Sequence, residues 1–550
     1  MKHFAALLDS LSFEPSRNGK LRLMSDYFRH VPDPERGWAL AALTGSLSFR
    51  QAKPALIRTL ILERCDPTLF AMSYDYVGDL SETVALLWPT PAATHDPSSK
   101  HAPLTLSDVV ETLASGGRIN LPPVLARWLD ALDETGRWAL LKLMTGALRV
   151  GVSARLAKTA VAQLGEVAPD DVEQVWHGLR PPYADLFAWV EGRAERPVSQ
   201  NPAPFRPPML AHALDEADLP SLDPRDFRAE WKWDGIRLQA AAGRTDNGVV
   251  LRLYSRTGED VTGAFPDLAD DLVAISGDGY AIDGELLVSR DGDIRPFAEL
   301  QQRLNRKTVS AKHLAQFPAS LRAYDLLSQD GEDLRDLPFD ERRWRLETFV
   351  AQANCARLTL SPLVAFNSWD ELAGYRADPS SADANPAAVE GLMLKRRDSL
   401  YVPGRPTGPW WKWKRDPFNI DAVLMYAQRG HGKRSSFYSD FTFGVWKGRG
   451  DAAELVPVGK AYFGFTDEEL AQLDRYVRNH TRERFGPVRV VEHGSDTGLV
   501  LEIAFEGLNR STRHKSGVAM RFPRIARIRW DKPSAEADRI EALEKLLPSL

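Results

Sequence analysis

Cysteine is nearly absent from this chain of 550 residues, which contains only Cys65 and Cys355. Two cysteines cannot form a disulfide framework or a zinc site with four cysteine ligands. Long apolar runs are also missing, since no stretch approaches the ~20 consecutive apolar residues that a membrane-spanning helix needs. The residues after Met1 are mixed rather than those of a signal peptide. We therefore expect a cytoplasmic protein without a membrane partner.

An excess of one charge is lacking as well. The formal net charge is −5, and the 11 histidines show no spacing typical of metal ligands. A nearly balanced total does not exclude a nucleic-acid partner, because binding depends on where the cations lie. Hydrophobic residues make up 43% and charged residues 26% of the chain, which is typical of a globular protein. The length predicts about three or four domains.

The hydrophobic pattern changes along the chain and predicts where domains begin and end. Residues 1–191 show helical spacing, and residues 192–208 are rich in proline and polar residues, as in a linker. Residues 209–415 alternate as strands do, with helices between them. Residues 416–550 contain short strands, a capping box at 466–469 and a C-terminal helix. We predict an all-α N-terminal domain, an α+β central domain and a C-terminal β-barrel of the oligonucleotide-binding (OB) type.

Residues 230–237, Glu-Trp-Lys-Trp-Asp-Gly-Ile-Arg, contain a candidate nucleophile, Lys232. A lysine attacks near neutral pH only after losing its proton, which requires a partly desolvated pocket and neighbouring cations. We expect residues 228–241 to form one strand, with Trp231 and Trp233 excluding water from the lysine. The alternative is a solvated lysine on a strand edge, since Lys-x-Asp-Gly also occurs by chance.

Further residues with suitable chemistry follow this stretch. Glu285 and Glu390 can hold a hard divalent cation, Tyr324 offers an aromatic face to a nucleobase, and Lys412 and Lys414 can contact phosphates. Each also has a simpler interpretation, as a surface acid, a packed aromatic or a solvated strand face. Their occurrence together with a candidate nucleophile argues against coincidence.

Two basic segments indicate contacts with phosphates. Residues 142–155 interrupt a helical pattern with glycines, which allow a close approach of the backbone, and keep cations nearby. The alternative there is a corner between two helices with solvated charges. Residues 509–532 are densely basic, and we favour phosphate contact over a solvated face. The candidate residues are Lys142, Arg149 and Arg155 in the first segment and Arg521, Arg524, Arg529 and Lys532 in the second.

Taken in order, these motifs resemble those of the covalent nucleotidyltransferase superfamily, and within it the ATP-dependent DNA ligases of bacterial type with an N-terminal helical DNA-binding domain. The resemblance covers most of the chain, and the ordered set is specific although each motif alone is weak. The matching motifs are Lys232-Trp233-Asp234-Gly235, Ser255-Arg256, Asp283-Gly284-Glu285, Tyr324-Asp325, Glu390-Gly391, Lys412-Trp413-Lys414 and residues 521–532, with 145–153 similar to part of the helical domain.

The resemblance implies a monomeric enzyme that uses ATP and Mg²⁺ to seal 5′-phosphate/3′-hydroxyl nicks in duplex DNA during replication, repair or recombination. It implies that Lys232 carries AMP and that the C-terminal domain swings about residues 415–417 between steps. Arg405 resembles a nucleotide-contacting arginine, although it lies one residue further from Lys412 than expected. By the same resemblance, Glu230 would accept a hydrogen bond from the adenine amino group, and Tyr324 would stack on the base. Arg237, Arg256 and Glu285 would line the ribose and phosphates, Glu285 and Glu390 would lie near the metal, and Lys412 with Lys414 would contact the α-phosphate. The residues implied to contact pyrophosphate or DNA phosphate are Arg521, Arg524, Arg529 and Lys532.

Three other classes share parts of this pattern. An RNA-capping guanylyltransferase uses the same lysine chemistry with GTP but needs no helical DNA-gripping domain. An NAD⁺-dependent ligase carries a four-cysteine zinc site that this chain cannot build. A catalytically idle DNA-end-binding scaffold has no need of an intact lysine and its acids.

Overall fold

A computed structural model describes residues 1–49, 53–89, 103–115, 120–146, 148–176, 178–197, 201–275, 277–304, 309–382, 384–386, 388–430, 437–448, 450–512 and 514–547. No helix formed by these residues is long and apolar enough to cross a membrane.

The described part of the N-terminal region is entirely α-helical, as predicted. Its helices pack around a continuous apolar core that includes the fully buried Leu8, Phe28 and Leu140. Ser153 begins one helix by accepting a hydrogen bond from the amide of Leu156, which satisfies an otherwise unpaired donor. The helices are α1 (Lys2–Phe13), α2 (Arg17–His30), α3 (Glu35–Leu43), α4 (Pro54–Leu62), α5 (Pro67–Val77), α6 (Leu80–Leu87), α7 (Leu106–Ala114), α8 (Leu121–Ala131), α9 (Glu134–Thr145), α10 (Ala154–Ala162), α11 (Pro169–Trp176) and α12 (Ala184–Val190).

The central region contains two β-sheets with helices packed against them. One sheet has the strand order β1-β12-β11-β2-β10, and the other β4-β3-β5-β7-β8, with β6 and β9 pairing β5 and β7. The strands are β1 (His212–Ala213), β2 (Phe227–Trp233), β3 (Ile236–Thr245), β4 (Gly248–Ser255), β5 (Gly279–Arg290), β6 (Asp293–Ile294), β7 (Ala319–Gln329), β8 (Glu332–Asp333), β9 (Leu358–Leu360), β10 (Leu363–Val364), β11 (Val389–Arg396) and β12 (Trp410–Lys414). The helices are α13 (Pro266–Val273), α14 (Phe297–Leu300), α15 (Ala311–Gln316), α16 (Phe339–Ala353) and α17 (Trp369–Ala377).

The single strand expected over residues 228–241 is wrong. The chain leaves the first sheet at the end of β2 and enters the second at β3, and Asp234 and Gly235 make the crossing. A Cβ at Gly235 would lie 2.5 Å from the carbonyl oxygen of Leu286. The chain therefore passes close to strand β5 as it enters the second sheet, which hydrophobic alternation within one segment cannot reveal.

The C-terminal region is β-rich and its main sheet is curled, in agreement with the predicted OB-type barrel. The strand order is β15-β14-β13-β17-β16, while β18 pairs both β13 and β21, and β19 and β20 form a hairpin. The predicted capping box is confirmed, since Thr466 and Glu469 bond reciprocally at the start of α18. The tail differs from a simple helix, because a 3₁₀ turn at Ser534–Glu536 precedes a short helix. The elements are β13 (Phe418–Arg429), β14 (Tyr438–Lys447), β15 (Glu454–Ala461), α18 (Asp467–Asn479), β16 (Thr481–Phe485), β17 (Val488–Val491), β18 (Val500–Phe505), β19 (Gly507–Arg510), β20 (Val518–Arg521), β21 (Arg524–Arg529) and α19 (Ile540–Glu544).

Gly235→Ala is expected to lower the free energy of unfolding by ~1–3 kcal/mol, because the added methyl group overlaps backbone that cannot move freely. Chemical denaturation measures this change. Gly374→Ala in α17 is the matched control, since no atom lies within 4 Å of its added Cβ and alanine favours a helix. Equal stability of the two variants would contradict the proposed close approach.

Candidate active site

Strand β2 presents Lys232 on one face and tryptophan side chains on the other, because successive side chains of a strand alternate. Trp231 and Trp233 are buried in an apolar cluster that also contains Leu287. The expectation that these rings exclude water from Lys232 is therefore wrong. The Lys232 side chain is 24% exposed and lies instead among charged groups.

Glu390 is the described carboxylate paired with Lys232. Lys232 Nζ lies 2.5 Å from Glu390 Oε2. Strands β2 and β11 are antiparallel, with Lys232 opposite Gly391, and the register shifts between Val389 and Gly391. Such a bulge leaves one residue outside the regular pairing and can redirect its side chain. The irregularity at residue 390 thus accompanies the contact between the two charged groups.

The C-terminal region contacts this pair directly. Arg521, at the end of β20, donates hydrogen bonds to Asp234 and, at 3.3 Å, to Glu390 Oε1. Lys414 Nζ lies 2.9 Å from Glu506 Oε2 and 3.8 Å from Glu390 Oε2. Residues far apart in sequence therefore meet over Lys232, and the structure shows the closed arrangement of the two regions.

Burial and charge act differently on the two carboxylates. Burial raises the pKa of Asp234, and its ion pair with Arg521 does not reverse that effect. Burial also opposes ionisation of Glu390, but the nearby Lys232, Lys414 and Arg521 outweigh it and lower the pKa of this group. Asp234 Oδ1 is buried without a hydrogen-bond partner among the described residues. One carboxylate oxygen at the site thus remains available for a further contact.

Glu285 on β5 is a third carboxylate near the same point. It lies opposite Arg237 in the β3–β5 ladder. Burial raises the pKa of Glu285 to about 8. The cations Lys232 and Arg237 oppose this shift, whereas the carboxylates of Glu390 and Asp234 add to it. Burial is thus the main reason why Glu285 resists ionisation at this point of the site.

These carboxylates suit a metal that also binds substrate. Within the described residues, no group of three or more His, Cys, Asp or Glu residues could hold a metal ion. Mg²⁺, however, is usually held by one or two carboxylates together with substrate phosphates and waters. Glu285 and Glu390 fit that kind of shared site, and the unpaired Asp234 Oδ1 beside them could accept a hydrogen bond from a metal-bound water.

A second cluster surrounds Glu230, which is 2% exposed. Its two oxygens accept from Arg343 Nη1 at 2.9 Å and from Lys395 Nζ at 2.8 Å. Lys395 Nζ also donates to the carbonyl oxygen of Tyr324 at 3.1 Å and lies 4.6 Å from the centre of its ring. The Lys395 ammonium thus contacts both the acceptor Glu230 and the aromatic ring of Tyr324, the two features expected for binding a base.

Arg237 connects the central sheets to the segment after the linker. Its guanidinium donates to the Met209 carbonyl oxygen at 2.6 Å, to Asp283 Oδ2 at 2.5 Å and to the Tyr401 hydroxyl at 2.9 Å. These contacts hold Arg237 in place within 5.8 Å of the Tyr324 ring. Its described hydrogen bonds are therefore structural, and a nucleotide contact by Arg237 stays a prediction.

The expected phosphate-binding residues form a cationic surface. Burial lowers the pKa of Lys412, and neighbouring cations lower it further. Partial burial of its guanidinium lowers the pKa of Arg256, although the residue as a whole is exposed. The nearby Arg237 and Arg405 lower this pKa further. Because like charges are costly without counter-ions, this surface is suited to polyanions. The cations acting on Lys412 are Arg405, Lys414, Lys232 and Arg256.

The remaining C-terminal candidates lie apart from the Arg521 contacts. Arg529 and Lys532 share Asp421 on β13, at 3.2 and 2.7 Å, and Arg529 also pairs with Asp531. Arg524 is half-buried on β21. Of the four basic residues predicted from this segment, the structure thus brings Arg521 to the Lys232 cluster.

The N-terminal candidates differ in accessibility. Lys142 is 3% exposed and pairs with Asp79 at 2.7 Å, so it stabilises the helical domain in this structure. Its predicted contact with DNA phosphate conflicts with that burial, which the charge pattern could not reveal. Arg149 is exposed, and Arg155 is 46% exposed while pairing with Asp170.

Sequence reasoning missed three residues that organise the site. Arg343, Lys395 and Tyr401 contact Glu230 or Asp283 from elements far away in sequence. Lys395 stands five residues after Glu390, in a strand that carries a recognised motif, so its position was a usable signal. Arg343 and Tyr401 lie in an ordinary helix and in a loop, where spacing gives no comparable signal.

Comparisons with known proteins agree with the motif order. A family model described as "ATP dependent DNA ligase domain" matches residues 208–414, and one described as "ATP dependent DNA ligase C terminal region" matches residues 434–532. A probable DNA ligase of Koribacter versatilis is 35% identical, with 100% of this chain and 97% of that protein covered. A DNA ligase of Natronomonas pharaonis is 32% identical over 86% of this chain and 83% of its own.

A solved structure called "Pmar-Lig_Pre" resembles the whole architecture. Its TM-score is 0.57 at 16% identity, covering 96% of this chain and 99% of that chain. At this identity the likeness supports the fold alone. It agrees with a helical region followed by two β-containing regions.

Glu285→Gln is expected to become increasingly more stable than the original protein as the pH rises from 5 to 8. The pKa of Glu285 is raised from 4.5 to about 8, so the folded protein binds more protons than the unfolded chain within that window. The original protein therefore loses stability with rising pH, by at most about 1.4 kcal/mol per pH unit from this group. Chemical denaturation without nucleotide or divalent cation measures the difference.

The exposed Glu483 on β16 provides the control for this measurement. Glu483→Gln should show a pH-independent difference from the original protein. A difference for Glu285→Gln that is likewise constant from pH 5 to 8 would disprove the raised pKa.

Proposed function

Because the chain belongs to the ATP-dependent DNA ligases, we propose that Lys232 is the residue that becomes adenylylated, with Glu390 as its proton acceptor. The observation that carries this proposal is the 2.5 Å contact between Lys232 Nζ and Glu390 Oε2, beneath a surface of cations. Glu390 is the nearest described group able to take the proton that Lys232 must lose before attack.

In the first step, Lys232 Nζ attacks the α-phosphorus of ATP. The N–P bond forms while the bond to pyrophosphate breaks, and the product is a lysine phosphoramidate. Lys412 and Lys414 neutralise charge at the α-phosphate, and Arg256 and Arg405 contact the outer phosphates. A bound Mg²⁺, held by Glu285 and Glu390 together with substrate phosphates and waters, would supply further charge neutralisation.

In the second step, the 5′-phosphate of a DNA nick attacks the lysine-bound phosphorus, and the N–P bond breaks. In the third step, the neighbouring 3′-hydroxyl attacks the 5′-phosphorus, and AMP departs as the strand is sealed. Arg149 and Arg155 are accessible for the duplex backbone, whereas the paired Lys142 is not. The proposal also includes contacts of DNA phosphates with Arg524, Arg529 and Lys532.

Opening of the C-terminal domain links the first step to the second. In the closed arrangement, Arg521 pairs with the carboxylates of Asp234 and Glu390 beside Lys232. DNA must later approach the same place. Residues 415–417 separate β12 from β13 and form the hinge. The ion pairs that hold the closed arrangement exchange for contacts with pyrophosphate and then release it.

Lys232→Ala is expected to abolish covalent labelling, since no other group replaces the nucleophile. The protein is incubated with Mg²⁺ and α-labelled ATP, GTP or NAD⁺. One portion is separated under denaturing conditions to detect the covalent label, and a second, native portion is given nicked duplex. We expect label from ATP alone and its transfer to DNA. Lys515→Ala, at a lysine 70% exposed, is the control and should label normally.

Two results would contradict the assignment. Label retained by Lys232→Ala would exclude this nucleophile. Label taken from GTP in preference to ATP would instead indicate the chemistry of a capping guanylyltransferase.

Tethering the closed arrangement is expected to block the sealing of a pre-adenylylated nick. The contact between Lys414 and Glu506 marks the place for a cysteine pair, after Cys65 and Cys355 are replaced by serine. A cleavable bifunctional thiol reagent joins the pair, and sealing is measured before and after cleavage.

Cleavage of the tether serves as the internal control, because it separates the effect of closure from that of losing Lys414. Recovery of sealing after cleavage supports the swing. Equal sealing rates in the tethered and cleaved protein would exclude it.

A further inference from the structure

We propose that Arg343 and Lys395 are positioning residues that set the preference for adenine, by holding Glu230 as a fixed acceptor for the amino group of the base. This inference rests on the proposed role of Glu230 in the nucleotide pocket. It assigns a function to two buried cations that lie outside the phosphate-binding surface.

The geometry fixes both oxygens of Glu230. Arg343 Nη1 and Lys395 Nζ each bind one oxygen, at 2.9 and 2.8 Å, and all three side chains are at most 5% exposed. Each oxygen keeps a second lone pair for another donor. Arg343 is itself held by Glu347 at 2.7 Å, so the carboxylate plane is constrained from the side of α16.

Ionisation matters because it decides which base edge is accepted. An ionised carboxylate only accepts hydrogen bonds, whereas a protonated one can donate. Adenine presents an amino donor at position 6, and guanine presents a carbonyl acceptor there. The Glu230 carboxylate, fixed between two cations, accepts a hydrogen bond from the amino group and repels the carbonyl oxygen.

Lys395 also relates this acceptor to the ring that faces the base. Its ammonium binds the backbone of Tyr324 and lies 4.6 to 4.7 Å from the ring centres of Tyr324, Phe339 and Trp410. Three aromatic rings and two hydrogen-bond partners leave the ammonium little freedom. The distance between the edge-reading carboxylate and the stacking ring is thereby set by one side chain.

A pair of nucleotides distinguishes positioning from general stability. ATP and purine riboside triphosphate differ by the 6-amino group, and the ratio of their kcat/KM values for lysine labelling is independent of the folded fraction. We expect the original protein to favour ATP by ~10-fold or more, as for a hydrogen bond to a charged group. Glu230→Ala, Lys395→Met and Arg343→Met should bring the ratio to within about threefold of unity, and Arg343→Lys should restore part of it.

Arg342→Met is the matched control, since Arg342 lies on the same helix and is fully buried but pairs with Asp325. It should lose stability and keep the ratio. For a variant that labels too weakly, the Kd values of the two nucleotides, from equilibrium binding, give the same ratio.

The outcomes separate this inference from the proposed function. Absence of labelling in the original protein would overturn the proposed function. A normal ratio in Glu230→Ala would remove Glu230 from base recognition. If Glu230→Ala loses the preference for ATP while Lys395→Met and Arg343→Met both keep it, the positioning role alone is overturned.

Discussion

The antiparallel pairing of β2 with β11 is the constraint on which the active site depends. It places Lys232 opposite Gly391 and brings Glu390, 158 residues later in the chain, within 2.5 Å of the lysine. A shift by one residue would turn Lys232 toward the apolar cluster and the tryptophans toward the charges. The buried tryptophans thus contribute indirectly, because their burial fixes the register that exposes the lysine to its partners.

Charge balance at the contact between the two regions favours the proposed opening. Asp234 and Glu390 face Arg521 from the C-terminal domain, and Lys414 contacts Glu506. Ion pairs that remain partly exposed contribute little stability each, because water competes for the charges. A polyphosphate can therefore exchange for these partners without the protein losing a large part of its stability. The same balance suits a domain that must close for one step and withdraw for the next.

The sequence alone predicts those features that depend on local order and spacing. The helical domain, the strand-rich regions, the capping box at Thr466 and the ligase motifs all follow from neighbouring residues. The break at Gly235 and the burial of Lys142 do not, because each depends on a distant element, Leu286 in one case and Asp79 in the other. For the same physical reason, spacing along the chain does not reveal the partners of Glu230, which come from helix α16 and strand β11.

The two ends of the nucleotide site are built on different principles. The groups around the base, Glu230, Arg343, Lys395 and Tyr324, all come from the central sheets and α16, and their ion pairs are buried. The proposed phosphate end includes Arg521, which the C-terminal region supplies and which would leave in the proposed opening. Buried pairs resist separation, since breaking one leaves an uncompensated charge. In the proposed cycle, recognition of the base would therefore persist while the C-terminal region moves, and AMP would stay oriented on Lys232 until DNA takes the place of that region.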